Sequence, residues 1–366
     1  MTVEDCTEAV PDALERFYEQ LQSADLQPLW NLTAQLLTPT PRPRAVPWLW
    51  SRATMHPLAR RAIDLVPVER GGERRVLSLA NPGLEGLPYA AGTLWGAIQC
   101  LGPRESAPAH RHSAGALRFV LEGAGVWTTV DGDACDMHPG DLILTPGQQW
   151  HDHTNGGDSE MYWFDGLDLP LVAALDAVFF EEYPELRQPD VAPGEHNRSA
   201  ADFPRRSENM VPGGTVAALD PTPSPLLAYR WTDTDTELAR LQSRWPGSAV
   251  SVEFVNPRSG ASVLPTLSAA MQRVPAGVAT AGVRRTGNTV AVVFAGSGHS
   301  VIDGQRFDWS AGDMFVVPSW SAVEHHAADR ADLFLLRDTP VLRALGLYRE
   351  QALEDPQPVT GTFRPR

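Results

Sequence analysis

Along the first stretch of the chain, apolar Leu14, Phe17, Leu21, Leu26, Leu29, Trp30 and Leu36 recur at roughly helical intervals, with charged residues between several of them. This spacing predicts one or two helices between residues 11 and 37. Pro39, Pro41, Pro43 and Pro47 then end helical structure, and residues 56–66 resume it briefly. After Arg74 the pattern shortens. Residues 76–79, 93–100, 117–121, 126–130 and 142–146 are apolar or alternating runs cut by Gly and Pro, which is how strands read. The 32 prolines and 30 glycines likewise favour many short strands and turns over long helices.

An internal repeat organises these strands. Val120-Leu121-Glu122-Gly123-Ala124-Gly125, Val130-Asp131-Gly132 and Gly140-Asp141-Leu142-Ile143-Leu144-Thr145-Pro146 return in the same order further on. The second copy reads Val293-Phe294-Ala295-Gly296-Ser297-Gly298, Ile302-Asp303-Gly304 and Gly312-Asp313-Met314-Phe315-Val316-Val317-Pro318. Each copy is a hairpin series with a tight Asp-Gly turn and a Gly-Asp turn that feeds an apolar strand ending at Pro. A repeat of this length predicts two copies of one small β-barrel. The expected division is a helical arm over residues 1–70, a first barrel over 71–185, a connecting segment over 186–245 and a second barrel with a C-terminal helix over 246–366. Within the connection, residues 186–214 are polar and rich in Pro, Asn and Arg.

Composition narrows the function. A chain of 366 residues is long enough for two cores, and 43% apolar with 20% charged residues is ordinary for a globular protein. The net charge of -15 repels phosphate backbones and anionic lipid, so neither nucleic acid nor a membrane is an expected partner. A small anion can still bind where the site supplies its own positive charge. Cys6, Cys100 and Cys135, odd in number and widely spaced, read as free thiols. The N-terminus lacks the apolar core of a signal peptide, and a cytoplasmic location is expected.

The candidate chemistry lies around the first repeat. His110 and His112 are two apart on a strand and share a face, and His151 follows Pro146, where a facing strand can supply it. Three imidazoles converging inside a barrel, with open positions opposite, suit a first-row divalent metal. Arg118 lies six residues beyond His112, so strand parity permits the same inward face, where its fork can pair with a carboxylate; the alternative is a surface arginine. Trp95, Ala97 and Gln99 alternate on one strand, and on the inner face Trp95 would wall a ligand ring while Gln99 hydrogen-bonds it. The other reading of Trp95 is ordinary core. His153, two beyond His151, can reach the same cavity as a base or hydrogen-bond donor. In the second repeat the positions of His110, His112 and His151 are taken by Val283, Arg285 and Val323. His325 and His326 are adjacent and point to opposite faces, so no metal set is expected there.

The pattern Pro108-x-His110-x-His112, with Gly140-x5-Pro146-x4-His151-x3-Asn155, resembles the cupin superfamily, apart from the usual glutamate ligand, replaced here by Ala116-Leu117. Three neutral ligands would leave a divalent ion its full charge for a dianionic chelate such as a carboxylate with an ortho phenolate. Pro28-Leu29-Trp30, Glu73-Arg74-Arg75-Val76-Leu77, Ala80-Asn81-Pro82-Gly83-Leu84, Ala116-Leu117-Arg118-Phe119, Trp150-His151-Asp152-His153 and Asp165-Gly166-Leu167-Asp168 further resemble gentisate 1,2-dioxygenase and its salicylate and 1-hydroxy-2-naphthoate branch. The resemblance implies a mainly β bicupin fold, two double-stranded β-helix (jelly-roll) barrels behind an N-terminal helical arm. It implies Fe(II), one ion per subunit in the first cupin, on His110, His112 and His151, and a small aromatic hydroxy acid and dioxygen as reactants. Arg118, Gln99 and His153 are then catalytic, and Trp95, Ala97, Arg74, Asp165 and Leu29 join Arg118 and Gln99 around the substrate. Relatives suggest a homotetramer. Gentisate is the expected substrate, with salicylates or 1-hydroxy-2-naphthoate next and a non-catalytic ligand-binding cupin as the more distant alternative.

Overall fold

The computed structural model describes residues 10–67, 75–204 and 208–364. Contacts divide the chain into residues 1–42 and residues 43–366. In the first unit, helices Val10–Ser23 and Leu29–Leu36 realise the helical spacing. The Tyr18 hydroxyl ties them together, donating to Asn31 at 3.3 Å and accepting from the Trp30 indole at 3.2 Å.

The second unit carries helix Arg52–Leu65 and two barrels, each made of two facing sheets. One sheet of the first barrel has the order Ala228–Tyr229, Leu142–Thr145, Ala116–Glu122, Met161–Leu167, Trp95–Leu101, Val76–Ser78. Facing it are Phe180–Glu182, Ser106–His112, His151–Asn155, Val126–Val130 and Asp133–Met137. The second barrel is built the same way around Thr289–Ala295, Ala331–Arg337 and Ser268–Val274 on one side and Val283–Arg285, Ala322–Ala327 and Ser297–Ile302 on the other. This is the mainly β, two-barrel architecture expected from the repeat. Its hairpin turns agree as well: Asp131-Gly132 and Asp303-Gly304 all have positive φ, the conformation that joins twisted antiparallel strands by two residues.

The barrels exchange parts. Trp48–Trp50, inside the segment expected to be a helical arm, is a strand on the edge of the second barrel, paired with Met314–Val317. Conversely Ala228–Tyr229, from the expected connection, extends the first barrel beside Leu142–Thr145. Thr93 at the entrance to the first barrel donates to Asp338 of the second, and Thr266 donates in the mirror-image sense to Asp168. Phe119 of the first barrel also stacks on Phe334 of the second, with centroids 4.3 Å apart and planes 11° apart. The polar segment after the first barrel is held on it: Gln188 donates to Asp152 and Thr129, and the backbone of Arg198 and Ser199 donates to Asp133. Helix Thr339–Ala344 follows the last long strand and precedes two short ones, Glu350–Ala352 and Gly361–Thr362.

Cys100 and Cys135 are buried free thiols, and burial pushes Cys100 up to about 11, which keeps it protonated and inert. Cys6 lies outside the described residues. No described helix is long and apolar enough to cross a membrane.

Candidate metal centre

Strand parity brings His110 and His112 to one face of Ser106–His112, and the register pairs His110 with His151 on the neighbouring strand. Ring centroids lie 4.3 Å apart for His110 and His151, 4.9 Å for His112 and His151, and 5.6 Å for His110 and His112. One nitrogen from each falls within 4.8 Å of the others, so the three form a group able to hold a metal ion.

The backbone has already chosen the tautomer. Nδ1 of His110 contacts the Pro108 carbonyl at 2.9 Å, Nδ1 of His112 that of Ala114 at 2.9 Å, and Nδ1 of His151 that of Gln149 at 3.0 Å. A carbonyl only accepts, so each Nδ1 carries the proton and each Nε2 presents a lone pair. Nε2 of His151 is buried with no hydrogen-bond partner among the described residues, which suits a metal ligand. Burial, then the neighbouring His110, pushes His112 down to about 4; burial, then Arg118, holds His151 well below the usual imidazole range. Neutral imidazoles with aimed Nε2 atoms fit a divalent transition metal. Phe180 stacks on His110 at 5.1 Å, a wall that sequence reasoning missed because the strand Phe180–Glu182 is short and its pairing distant.

Arg118, 4% exposed, is buried against the facing carboxylate of Asp165: its Nε lies 3.2 Å from Oδ1, and Nη1 donates to Thr145 Oγ1. The Trp163 indole donates to the same Asp165 oxygen at 3.1 Å. Burial raises Asp165 to about 6 despite Arg118 and Trp163, which both pull the other way. Five N–H donors in the fork exceed what Thr145 and Asp165 accept, leaving capacity for a ligand carboxylate. Gln99 pairs in register with Trp163, and Ala97 with Asp165, so these residues share the face that carries Arg118. Trp95 continues that alternation and donates its indole N–H to Ser78 at 3.1 Å. The Trp163 ring lies 5.5 Å from His153, so the two sheets meet here.

His153 is also built for a proton. Its Nδ1 lies 2.8 Å from Thr128 Oγ1, and the same hydroxyl donates to the Met137 sulfur at 3.2 Å. With the hydroxyl proton directed at Met137, Nδ1–H of His153 donates to Thr128. Nε2 is then a lone pair, and burial followed by Arg118 keeps the ring neutral by holding it well below the usual range. Thr128, Thr145 and Trp163 were not singled out in the sequence. The signal was present in the repeat: Thr145, Trp163, Arg118 and Asp165 correspond to Val317, Leu333, Ala291 and Leu335, buried and apolar in the second copy.

The cupin domain profile matches residues 97–167. Over 350 residues the chain is 46% identical to a gentisate 1,2-dioxygenase from Streptomyces sp, covering 92% of this chain and 94% of that one. The chain belongs to the gentisate 1,2-dioxygenase family. A 5-aminosalicylate 1,2-dioxygenase from Comamonas sp is 35% identical, across 96% of this chain and 94% of its own. In three dimensions the fold superposes on salicylate 1,2-dioxygenase from Pseudoaminobacter salicylatoxidans, solved with gentisate, with a TM-score of 0.86 and 40% identity over 97% of this chain and 98% of that one. Of the residues to which family resemblance assigned substrate contacts, Arg118, Asp165, Gln99 and Ala97 share one face of the first barrel. Leu29 begins a helix of the separate N-terminal unit, and Arg74 lies outside the described residues.

Proposed function

We propose that this chain is an Fe(II)-dependent ring-cleaving dioxygenase that opens gentisate between its carboxyl-bearing and adjacent hydroxyl-bearing carbons, giving maleylpyruvate. His110, His112 and His151 hold the metal, one per subunit of a homo-oligomer that resemblance makes a tetramer. Iron(II), when bound there, supplies the Lewis acidity that chelates carboxylate and ortho hydroxyl and the redox capacity that activates dioxygen. The chain's own residues do the rest. Arg118, its charge held in place by Asp165, binds and orients the carboxylate. Gln99 hydrogen-bonds a substrate oxygen, and Trp95 and Ala97 bound the ring. His153, with Nε2 unprotonated, takes the proton of the phenolic hydroxyl and can return it to the opened product.

The observation that carries this reading is the coincidence, in the first barrel, of three neutral imidazoles with a buried Arg118–Asp165 pair. A salicylate or 1-hydroxy-2-naphthoate substrate is the second reading, supported by the likeness to the salicylate enzyme. Anaerobic purification and Fe(II) loading, followed by oxygen uptake and ultraviolet absorbance with gentisate, salicylate and 1-hydroxy-2-naphthoate, tests both. Turnover that disappears in His110→Ala supports the proposal, and the rate ratios choose the substrate. Bound iron with no uptake on any of the three would leave a non-catalytic ligand-binding cupin.

A further inference from the structure

The second barrel has lost the metal set and kept a cavity. A space of about 440 Å³, within the range of small-molecule sites, is lined by Val283 and Val323 at the positions of His110 and His151. Val283 pairs with Val323 as His110 pairs with His151, so the two apolar side chains line this barrel at the positions the ligands hold in the first.

Around that wall the charge has been rebuilt rather than removed. Arg285, Arg337 and Arg343 line the cavity against two carboxylates, Glu253 and Glu350. Arg285 is committed, donating to Glu350 at 2.7 Å, and Arg343 lies over the Tyr348 ring and donates to the Val216 carbonyl. Arg337 is not. Its side chain is 19% exposed, its nearest recorded carboxylate oxygen is Glu253 at 3.9 Å, and its Nε is buried with no hydrogen-bond partner among the described residues. Burial, then Arg285, pushes it down only to about 10, so it stays cationic at neutral pH. Gln272, at the repeat position of Gln99, has an amide oxygen in the same unpartnered condition.

His325 supplies the third group, and a single exchange between the repeats reverses its polarity. In the first barrel Met137 accepts the Thr128 proton, so His153 presents a lone pair. At the matching position the second barrel has Trp309, whose indole N–H donates to Ser300 Oγ at 2.9 Å. Ser300 is 0% exposed, and its other recorded partner is Nδ1 of His325 at 2.7 Å. The hydroxyl proton therefore goes to Nδ1, and His325 carries its own proton on Nε2. Where the first barrel offers a base, the second offers a donor.

We propose that the cavity of the second barrel binds a small organic hydroxy-carboxylate, its carboxylate received by Arg337 and the Nε2–H of His325, its hydroxyl by Gln272, and its carbon skeleton by Val283 and Val323. A cation and a neutral N–H donor suit a carboxylate, an orphaned amide oxygen suits a hydroxyl, and the two valines suit carbon. The assignment stands apart from the reaction of the first barrel, since binding here needs neither metal nor dioxygen.

The test is calorimetric titration of the iron-loaded protein with 3-hydroxybenzoate, which lacks the ortho hydroxyl needed for chelation, under anaerobic conditions, with inorganic phosphate in a parallel arm. Wild type is expected to show a site for the probe that survives Arg118→Leu, whereas Arg337→Leu weakens that site at least ~tenfold, the loss of a charge-assisted pair. Gln272→Leu, which removes no charge, serves if Arg337→Leu fails to fold, and is expected to weaken 3-hydroxybenzoate but not benzoate. Absence of binding in wild type, loss in Arg118→Leu with retention in Arg337→Leu, or phosphate binding as tightly as the hydroxy acid would each overturn the proposal.

Discussion

The Arg118–Asp165 pair offers a test in which the protein contains its own control. Both side chains are buried and the charges approach to 3.2 Å, which at an effective dielectric of about 20 corresponds to roughly 5 kcal/mol of attraction. That attraction is offset by desolvation of both groups, so removing one partner costs more than removing both. The second barrel places Ala291 and Leu335 in the same register, 0% and 2% exposed, and packs without any charge there. Asp165→Leu alone should therefore lower unfolding free energy by about 3–5 kcal/mol, because it strands a buried guanidinium. Arg118→Ala/Asp165→Leu, which copies the second repeat at these two positions, should be more stable than Asp165→Leu alone and fall short of wild type by about 1–3 kcal/mol, the cost of the buried Trp163 indole N–H left without its acceptor, while turnover is abolished. Denaturant unfolding of the metal-free proteins at about pH 7.5, where Asp165 is ionised, measures the four corners of the cycle. At about pH 5, below the raised Asp165 value of about 6, the coupling should shrink because the native carboxylate is then mostly protonated. Additive losses, with coupling under ~0.5 kcal/mol, would refute the reasoning and make the pair a structural element.

Four further outcomes follow from the same geometry. His110→Ala should lose bound iron, read by metal analysis, together with oxygen uptake, while its melting profile stays cooperative. In the metal-free protein, stability should fall as pH drops from about 6.5 towards 4, because the unfolded chain takes up a proton that buried His112 refuses; this one imidazole accounts for roughly 3 kcal/mol, measurable by denaturation across that range. Thr128→Val should lower kcat about tenfold or more with little change in KM, and should flatten the acid limb of the kcat profile, since it frees the His153 tautomer without touching substrate. Thr93→Val and Thr266→Val should each cost about 1–3 kcal/mol, as each leaves a buried carboxylate of the other barrel without its hydroxyl donor.

What the sequence by itself determined was whatever is local or periodic. The N-terminal helices follow from spacing, the strand runs from alternation and punctuation, and the two barrels from the repeat; His110 and His112 share a face because they are two residues apart. Parity says which residues lie together but not which face is inside, so Trp95, Ala97 and Gln99 awaited the register that sets Gln99 beside Trp163 and Ala97 beside Asp165. Partnership across distant strands was equally out of reach: nothing local to Thr128 or Thr145 announces His153 or Arg118. The exchange of Trp48–Trp50 and Ala228–Tyr229 between barrels was hidden for the same reason, since short edge strands take their partners from the surface they meet. Charge and tautomer were decided last, by burial and by which neighbour must donate, and those exist only once the sheets have closed around the side chains.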